Sequence, residues 1–188
     1  MNTRRRGDEL LNAIYEAALD EAVTVGYAKT TMEGVAAAAG TGKAALYRRW
    51  PDKDALLADA LNHVLPSMEA LTLTDDLRTD LLAVYRHVRA AMDSLKGGRF
   101  TNMKADGGDV LIHAVFAERV KEPSKLLVLE ILRRGAERGA VRPGAVTELA
   151  ADTGYALFFD YCRSHKMVVE DEFLVRLVDE IMIPLVRA

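Results

Sequence analysis

The chain has very little that could cross-link it. One cysteine, Cys162, in 188 residues excludes an intrachain disulfide framework, and the expected setting is a reducing cytoplasm. Aromatic residues are only 6% of the sequence, too few for the strands of a β-sandwich. No apolar run is long enough to span a bilayer. The basic start, MNTRRRGDELL, is not followed by an apolar stretch of secretory type. The histidines His63, His87, His113 and His165 show no i, i+4 pairing and no cysteine partner, so no metal site is expected. Nucleophile elbow, dinucleotide fingerprint and a carboxylate pair with a clear role are all missing, so an enzyme has no positive support and no cofactor is expected.

What the chain has is aliphatic residues. Half of it is hydrophobic, mostly alanine, leucine and valine, which favours helices packed through aliphatic faces. The length allows one large domain or two small ones with a real core. Helical periodicity places helices over 8–25, 32–39, 43–49 and from Asp52 to Pro66. Others follow from Thr74–Asp76 to Gly97-Gly98, over 109–120, from Pro123 to Gly139, and over 146–164 and 170–186. The weak pattern over 67–73 reads as a joint. The expected architecture is therefore all-α, about nine helices, with one domain over 1–66 and another over 67–188.

Net charge is −3, against a general polyanion binder, but the positive charge is local. Arg4, Arg5 and Arg6 carry no acid between them, and residues 40–53 hold Lys43, Arg48, Arg49 and Lys53 against Asp52 alone. A local basic patch can hold phosphate while the rest stays acidic. The tract GTGKAALYRRWPDKDALL, 40–57, contains it. A phosphate loop needs Gly, four residues, then Gly-Lys-Ser/Thr after a strand. Here Ala37 and Ala44 stand at required positions, and a helix precedes the tract.

A helix-turn-helix fits better. Gly40 permits the positive φ of a tight turn, and Val35, Ala36, Ala39 and Leu46 can pack the two helices together. The short helix then presents Lys43, Ala44, Tyr47 and Arg48 to a major groove. Tyr47 offers its hydroxyl to a phosphate, and Arg48 can reach phosphate or guanine. Pro51 stops the helix. Asp52 caps the next, whose first turn carries Lys53 as part of a phosphate clamp. The competing reading is an ordinary helical corner with solvated charges. Arg4–Arg6 read equally as a DNA arm or a solvated tail.

The motif Gly26-Tyr27, Thr30-Thr31, Val35-Ala36, Ala39-Gly40, Leu46-Tyr47, Trp50, Lys53 and Leu56 resembles, in register, the N-terminal domain of the tetracycline-repressor (TetR) family of bacterial transcription regulators. The resemblance covers 8–61. It implies a homodimer that binds double-stranded operator DNA through its first four helices and is released by a small-molecule effector. Departures are Thr41-Gly42 for the usual Val-Ser, Ala44-Ala45 for Gly-Thr, and Trp50 for Phe, which reads as a larger hydrophobic plug. The residues assigned to DNA are Thr31, Thr41, Lys43, Ala44, Tyr47, Arg48, Arg49 and Lys53.

The resemblance also implies a pocket among helices five to eight, with candidate lining residues Val88, Met92, Met103, His113, Phe116, Leu129, Tyr155, Phe159 and Cys162. Such a lining suits a hydrophobic or amphipathic effector. It implies pairing of the last two helices with those of a second copy. Leu149, Thr153, Ala156, Leu157, Leu174, Leu177, Val178 and Ile181 are candidates for that interface. A helical dimer that binds small molecules or proteins without DNA remains the alternative function.

Overall fold

The computed structural model describes residues 7–95, 100 and 103–188. Arg4–Arg6 and Gly97-Gly98 lie outside the described residues. The described chain is helical, with one isolated antiparallel bridge, Val141 to Arg187. It divides into two compact units: one of residues up to 65 with 94–117, the other of 66–93 with 118–188.

The first unit holds α1 (Asp8–Val25), α2 (Met32–Ala38), α3 (Lys43–Tyr47), α4 (Lys53–Val64) and α6 (Asp109–Phe116). α1 packs on α2 and α4, and α6 on α4. The apolar stripe of α1 supplies Ile14, Ala17, Ala18, Leu19 and Ala22, and α4 answers with Leu56, Leu57, Ala60 and Leu61, all buried. Each helix start has a chemical cause. The Thr31 hydroxyl accepts the Gly34 amide at 3.0 Å, and the Asp52 carboxylate accepts the Ala55 amide at 2.9 Å. Both supply acceptors to amide donors that the first turn of a helix leaves unpaired.

The second unit holds α5 (Leu77–Ser94), α7 (Glu122–Glu137), α8 (Glu148–Ser164), α9 (Asp171–Arg176) and α10 (Ile183–Val186). Its core joins Leu81, Val84, Tyr85 and Val88 of α5 to Val128, Ile131 and Leu132 of α7 and Ala151 and Phe158 of α8. Bidentate ion pairs tie α5 to the C-terminal helical stretch: Arg78 with Asp179 (2.6 and 2.8 Å) and Arg86 with Asp171 (2.9 and 2.6 Å). Buried Asp80 anchors the start of α5, accepting from the Thr74 amide and hydroxyl and from the Asp75 amide.

The helix expected from Pro123 starts at Glu122 with the proline in its first turn, and a π turn, Ala117–Lys121, precedes it. One sequence expectation is corrected: 170–186 is not one uniform α-helix, because a π turn, Leu177–Met182, separates α9 from α10. The physical reason is common to both. Pro123 and Pro184 sit in the first turns of α7 and α10, lack an N–H, and crowd the carbonyl four residues back; a widened preceding turn accommodates both defects without ending the helix.

Candidate nucleic-acid interface

The site is built on the joint between α2 and α3. α2 ends with the Gly40 amide donating to Ala37 O (3.2 Å) and the Thr41 amide to Ala36 O (2.9 Å). This is a Schellman motif, with Gly40 at φ +65° in its left-handed position. The motif turns the chain sharply, and Gly42 then opens α3 without a side-chain cap, as the missing serine predicts. Small buried side chains, Val35, Ala36 and Ala39, let α3 lie close, and Leu46 fills the gap at 0% exposure.

With Leu46 turned inward and Ala45 half-buried, the other side chains of α3 and of the Arg48-Arg49 turn that follows it face solvent. Lys43, Ala44, Tyr47, Arg48 and Arg49 are all exposed, Thr41 is half-buried, and Thr31 lies exposed at the start of α2. Tyr47 keeps 45% of its surface open, unusual for a tyrosine with only core packing to do. Trp50 is buried instead; its indole N–H donates to Asp59 at 2.7 Å, and its ring meets Tyr15 edge-on at 5.9 Å. It locks α3 against α1 and α4, the plug its size suggested.

The two lysines of this region, Lys43 and Lys53, have partners within the protein. The Lys43 ammonium pairs with Glu33 of α2 and lies 5.5 Å from the centre of the Tyr47 ring. The pair holds the Lys43 pKa above the ordinary lysine range and that of Glu33 below the ordinary carboxylate range. Lys53 is half-buried, donates to the carbonyls of Tyr27 (2.6 Å) and Ala28 (3.3 Å), and sits 4.5 Å from the centre of the Tyr27 ring.

The turn that Lys53 grips is held from two other sides. Asp106 accepts the amides of Tyr27 and Ala28, each at 2.9 Å, and the Tyr27 hydroxyl donates to Asp54 at 2.9 Å. Gly26 enters this turn at φ +93° and ψ 157°. A Cβ there would lie 2.3 Å from an Asp106 carboxylate oxygen, so Gly26 is required by both backbone and packing. Burial and the hydrogen bond to Asp54 raise the Tyr27 pKa. Sequence reasoning missed Asp106 and Glu33 as partners of this region. Glu33 had a visible signal, an acid in the first turn of α2; Asp106 had none, because its contact spans 79 positions.

The candidate pocket residues fall into both units. Val88, Met92, Leu129, Tyr155, Phe159 and Cys162 belong to the second, where Val88, Met92, Tyr155 and Cys162 are buried. Met103, His113 and Phe116 belong to the first, Met103 buried and His113 exposed. Of the candidate dimer residues, Leu149 (79% exposed), Leu157, Ala156 and Ile181 lie open, and Thr153 is half-buried. Leu174, Leu177 and Val178 are buried inside the second unit instead, because they face its core rather than the outer side of the stretch. No group of three or more metal-ligating side chains occurs among the described residues, and none of the described helices is long and apolar enough to cross a membrane.

A capped helix, a Schellman turn and a short exposed helix bearing tyrosine and basic residues, joined to a second helical unit, define a helix-turn-helix regulator. Residues 14–60 match the bacterial regulatory proteins of the tetR family, and residues 71–181 the tetracyclin repressor-like C-terminal domain. The chain belongs to the tetR family of bacterial transcription regulators. It is 27% identical over 188 residues to a DNA-binding transcriptional repressor TetR of Mycobacteroides abscessus, covering 97% of this chain and 96% of that one. An HTH-type transcriptional regulator of Mycobacterium bovis is 28% identical over 172 residues, 85% of this chain and 79% of its own. Among solved structures, the flavonoid-responsive regulator FrrA superposes with a TM-score of 0.68 at 18% identity, covering 96% of this chain and 98% of its own. The protein is thus a TetR-like DNA-binding transcriptional regulator rather than an enzyme. Regulators of this family bind operator DNA and function as dimers with small-molecule effectors.

Proposed function

We propose that this chain is a homodimeric repressor that reads a palindromic operator through α3 and is released by a small hydrophobic or amphipathic effector held in the second unit. The observation that carries the DNA side is the division of α3 into two faces. Leu46 goes inward, while Lys43, Ala44, Tyr47, Arg48 and Arg49 all go outward. Arg48 has the geometry class for phosphate or guanine, and Tyr47 that for phosphate. Thr31 and Thr41 flank them. Lys53 contributes through the turn it grips and through the anion-friendly start of α4.

The dimer is supported by the outer face of α8. Leu149, Thr153, Ala156 and Leu157 follow one another at helical spacing, and Ile181 adds to the open apolar surface of this unit. Leucine open to this extent on a regular helix face is explained by a second copy. Release requires an effector that binds the non-operator state more tightly, since a ligand with equal affinity for both states moves nothing.

A gel shift with the region upstream of the chain's own gene tests the reading. A shift on a two-half-site fragment, weakened by salt and lost when one half-site is scrambled, is expected. Equal binding to intact and scrambled fragments would leave the helical dimer without operator recognition as the better description.

A further inference from the structure

The interior of the second unit contains two phenols without partners. Tyr85 and Tyr155 are 0% and 3% exposed, and neither hydroxyl oxygen has a hydrogen-bond partner. The Ser124 hydroxyl lies beside Tyr155 and offsets a little of the effect of burial there. Its own donor is committed to Lys121 O at 2.8 Å, and its contact with the phenol oxygen falls outside hydrogen-bond geometry. Buried polar atoms are nearly always satisfied, so two orphans within one cluster call for an explanation.

Their surroundings narrow the explanation. The Tyr85 and Tyr155 rings are 5.7 Å apart and continue into Phe158 and Phe159, with centre-to-centre distances of 6.5, 6.4 and 5.4 Å around the group. The Tyr85 hydroxyl reaches so close to α8 that a Cβ on Gly154 would overlap it. Gly154 thereby makes room for the Tyr85 hydroxyl and for the ring carbon that bears it. Burial raises the pKa of both phenols, which keeps them as neutral donors at physiological pH. The charges felt at Tyr155 are the carboxylates of Asp152 and Glu122, and nearby Lys125 is already held by Asp152 and Glu148 at 3.1 and 3.3 Å. An anion would enter a negative field with its cation taken; an uncharged ligand would not.

We propose that Tyr85 and Tyr155 are the polar contacts of the effector site, both donating hydrogen bonds to one carbonyl oxygen of an uncharged, aromatic ligand that lies against the Phe158–Phe159 edge. This rests on the effector-responsive reading above and specifies its ligand chemistry. The hydroxyls supply orientation, and the rings supply apolar area.

The test uses the full chain with three matched probes: xanthone, xanthene, which lacks the carbonyl, and xanthone-2-carboxylate. Binding is read by calorimetric titration and thermal shift, and operator release by gel shift. Xanthone is expected to bind about thirtyfold more tightly than xanthene, the worth of two net hydrogen bonds of about 1 kcal/mol each, and the carboxylate not at all. Y85F and Y155F are each expected to cut the xanthone advantage to about fivefold, and the double variant to erase it, while leaving the unliganded Tm equal or higher, since each removes an unsatisfied oxygen. A purely structural role for the hydroxyls would lower Tm and leave probe affinity unchanged, which overturns the proposal. So would the absence of any xanthone binding, or equal binding of the carboxylate. Tyrosine-dependent binding without operator release keeps this site and refutes the effector reading. Release by another compound from wild type and a Y85F/Y155F double variant alike does the reverse.

Discussion

Replacing Gly26 by alanine tests the clamp that joins α1 to α2. At φ +93° and ψ 157° the residue occupies a region that is essentially glycine-only, at about 1–3 kcal/mol for other residues. The new Cβ would also stand 2.3 Å from an Asp106 oxygen, so the carboxylate must leave the Tyr27 and Ala28 amides it accepts at 2.9 Å. Hydrogen bonds to a charged group contribute about 1.5–3 kcal/mol each. Here the clamp is exposed and water replaces it, so about 1 kcal/mol for the pair is a fair discount. The expected cost of Gly26→Ala is therefore about 2–4 kcal/mol, or roughly 5–15 °C in Tm for a protein of this size. Asp106→Ala alone should cost about 1 kcal/mol. The two should not add: with Asp106 gone, no other atom stands closer than 3.7 Å to the new Cβ, and the double variant should fall short of the sum by about 1 kcal/mol. Urea unfolding of the four proteins completes the cycle. Strict additivity, or a Gly26→Ala cost under about 0.5 kcal/mol, would refute the idea that glycine is kept here by Asp106 and by backbone strain.

Glu33→Gln removes the partner of Lys43 and adds no bulk; affinity for non-specific duplex should rise and the salt slope steepen by about one unit, measured by fluorescence anisotropy between low and high salt. Trp50→Ala opens a cavity between α1, α3 and α4 and abandons Asp59; a loss of about 3–5 kcal/mol is expected, with operator binding lost in parallel by gel shift. The Arg pairs of the second unit hold Asp171 and Asp179 below the ordinary carboxylate range, and Arg133 and Arg134 hold Glu130 down to about 2. The folded pKa values are depressed, so this stabilisation is fully present above the unfolded values near pH ~4 and is lost as pH falls through the folded ones. Thermal melts from pH 5 to pH 2.5 should show Tm falling, and Arg86→Ala should flatten the fall.

Local chemistry made the first unit legible. The α1 stripe, the Thr31 and Asp52 caps, Gly40 and Pro51 are each decided within a few residues, and the structure places α1 at the expected Asp8–Val25. The buried side of α3 was legible for the same reason, since Leu46 and Trp50 are the apolar residues of a short basic helix. Long-range partners were not. Asp106 looks like a turn residue in sequence and acts on Tyr27 from 79 positions away; Tyr85 looks like core and becomes notable only beside Gly154 and Tyr155. Pro123 reads in sequence as a helix start, as it is; the π turns before it and before Pro184 were not legible, because no sequence period signals a widened turn. Inward and outward residues at the C-terminal end were also hard to separate: Leu177 and Ile181 stand four apart, yet the first is buried and the second 40% exposed, because both lie within a π turn whose wider period shifts the helical phase.

The central claim is that the exposed face of α3 carries operator recognition. Its most direct test is the salt dependence of operator binding for wild type, Tyr47→Ala and Arg48→Ala, measured on full-length protein whose unaltered Tm shows an intact fold. Loss of a phosphate contact should lower affinity for every sequence and reduce the slope of log K against log salt by about one per half-site for Arg48→Ala, with a weaker uniform loss for Tyr47→Ala. Variants that bind the operator as tightly as wild type, with the same slope, would contradict the account.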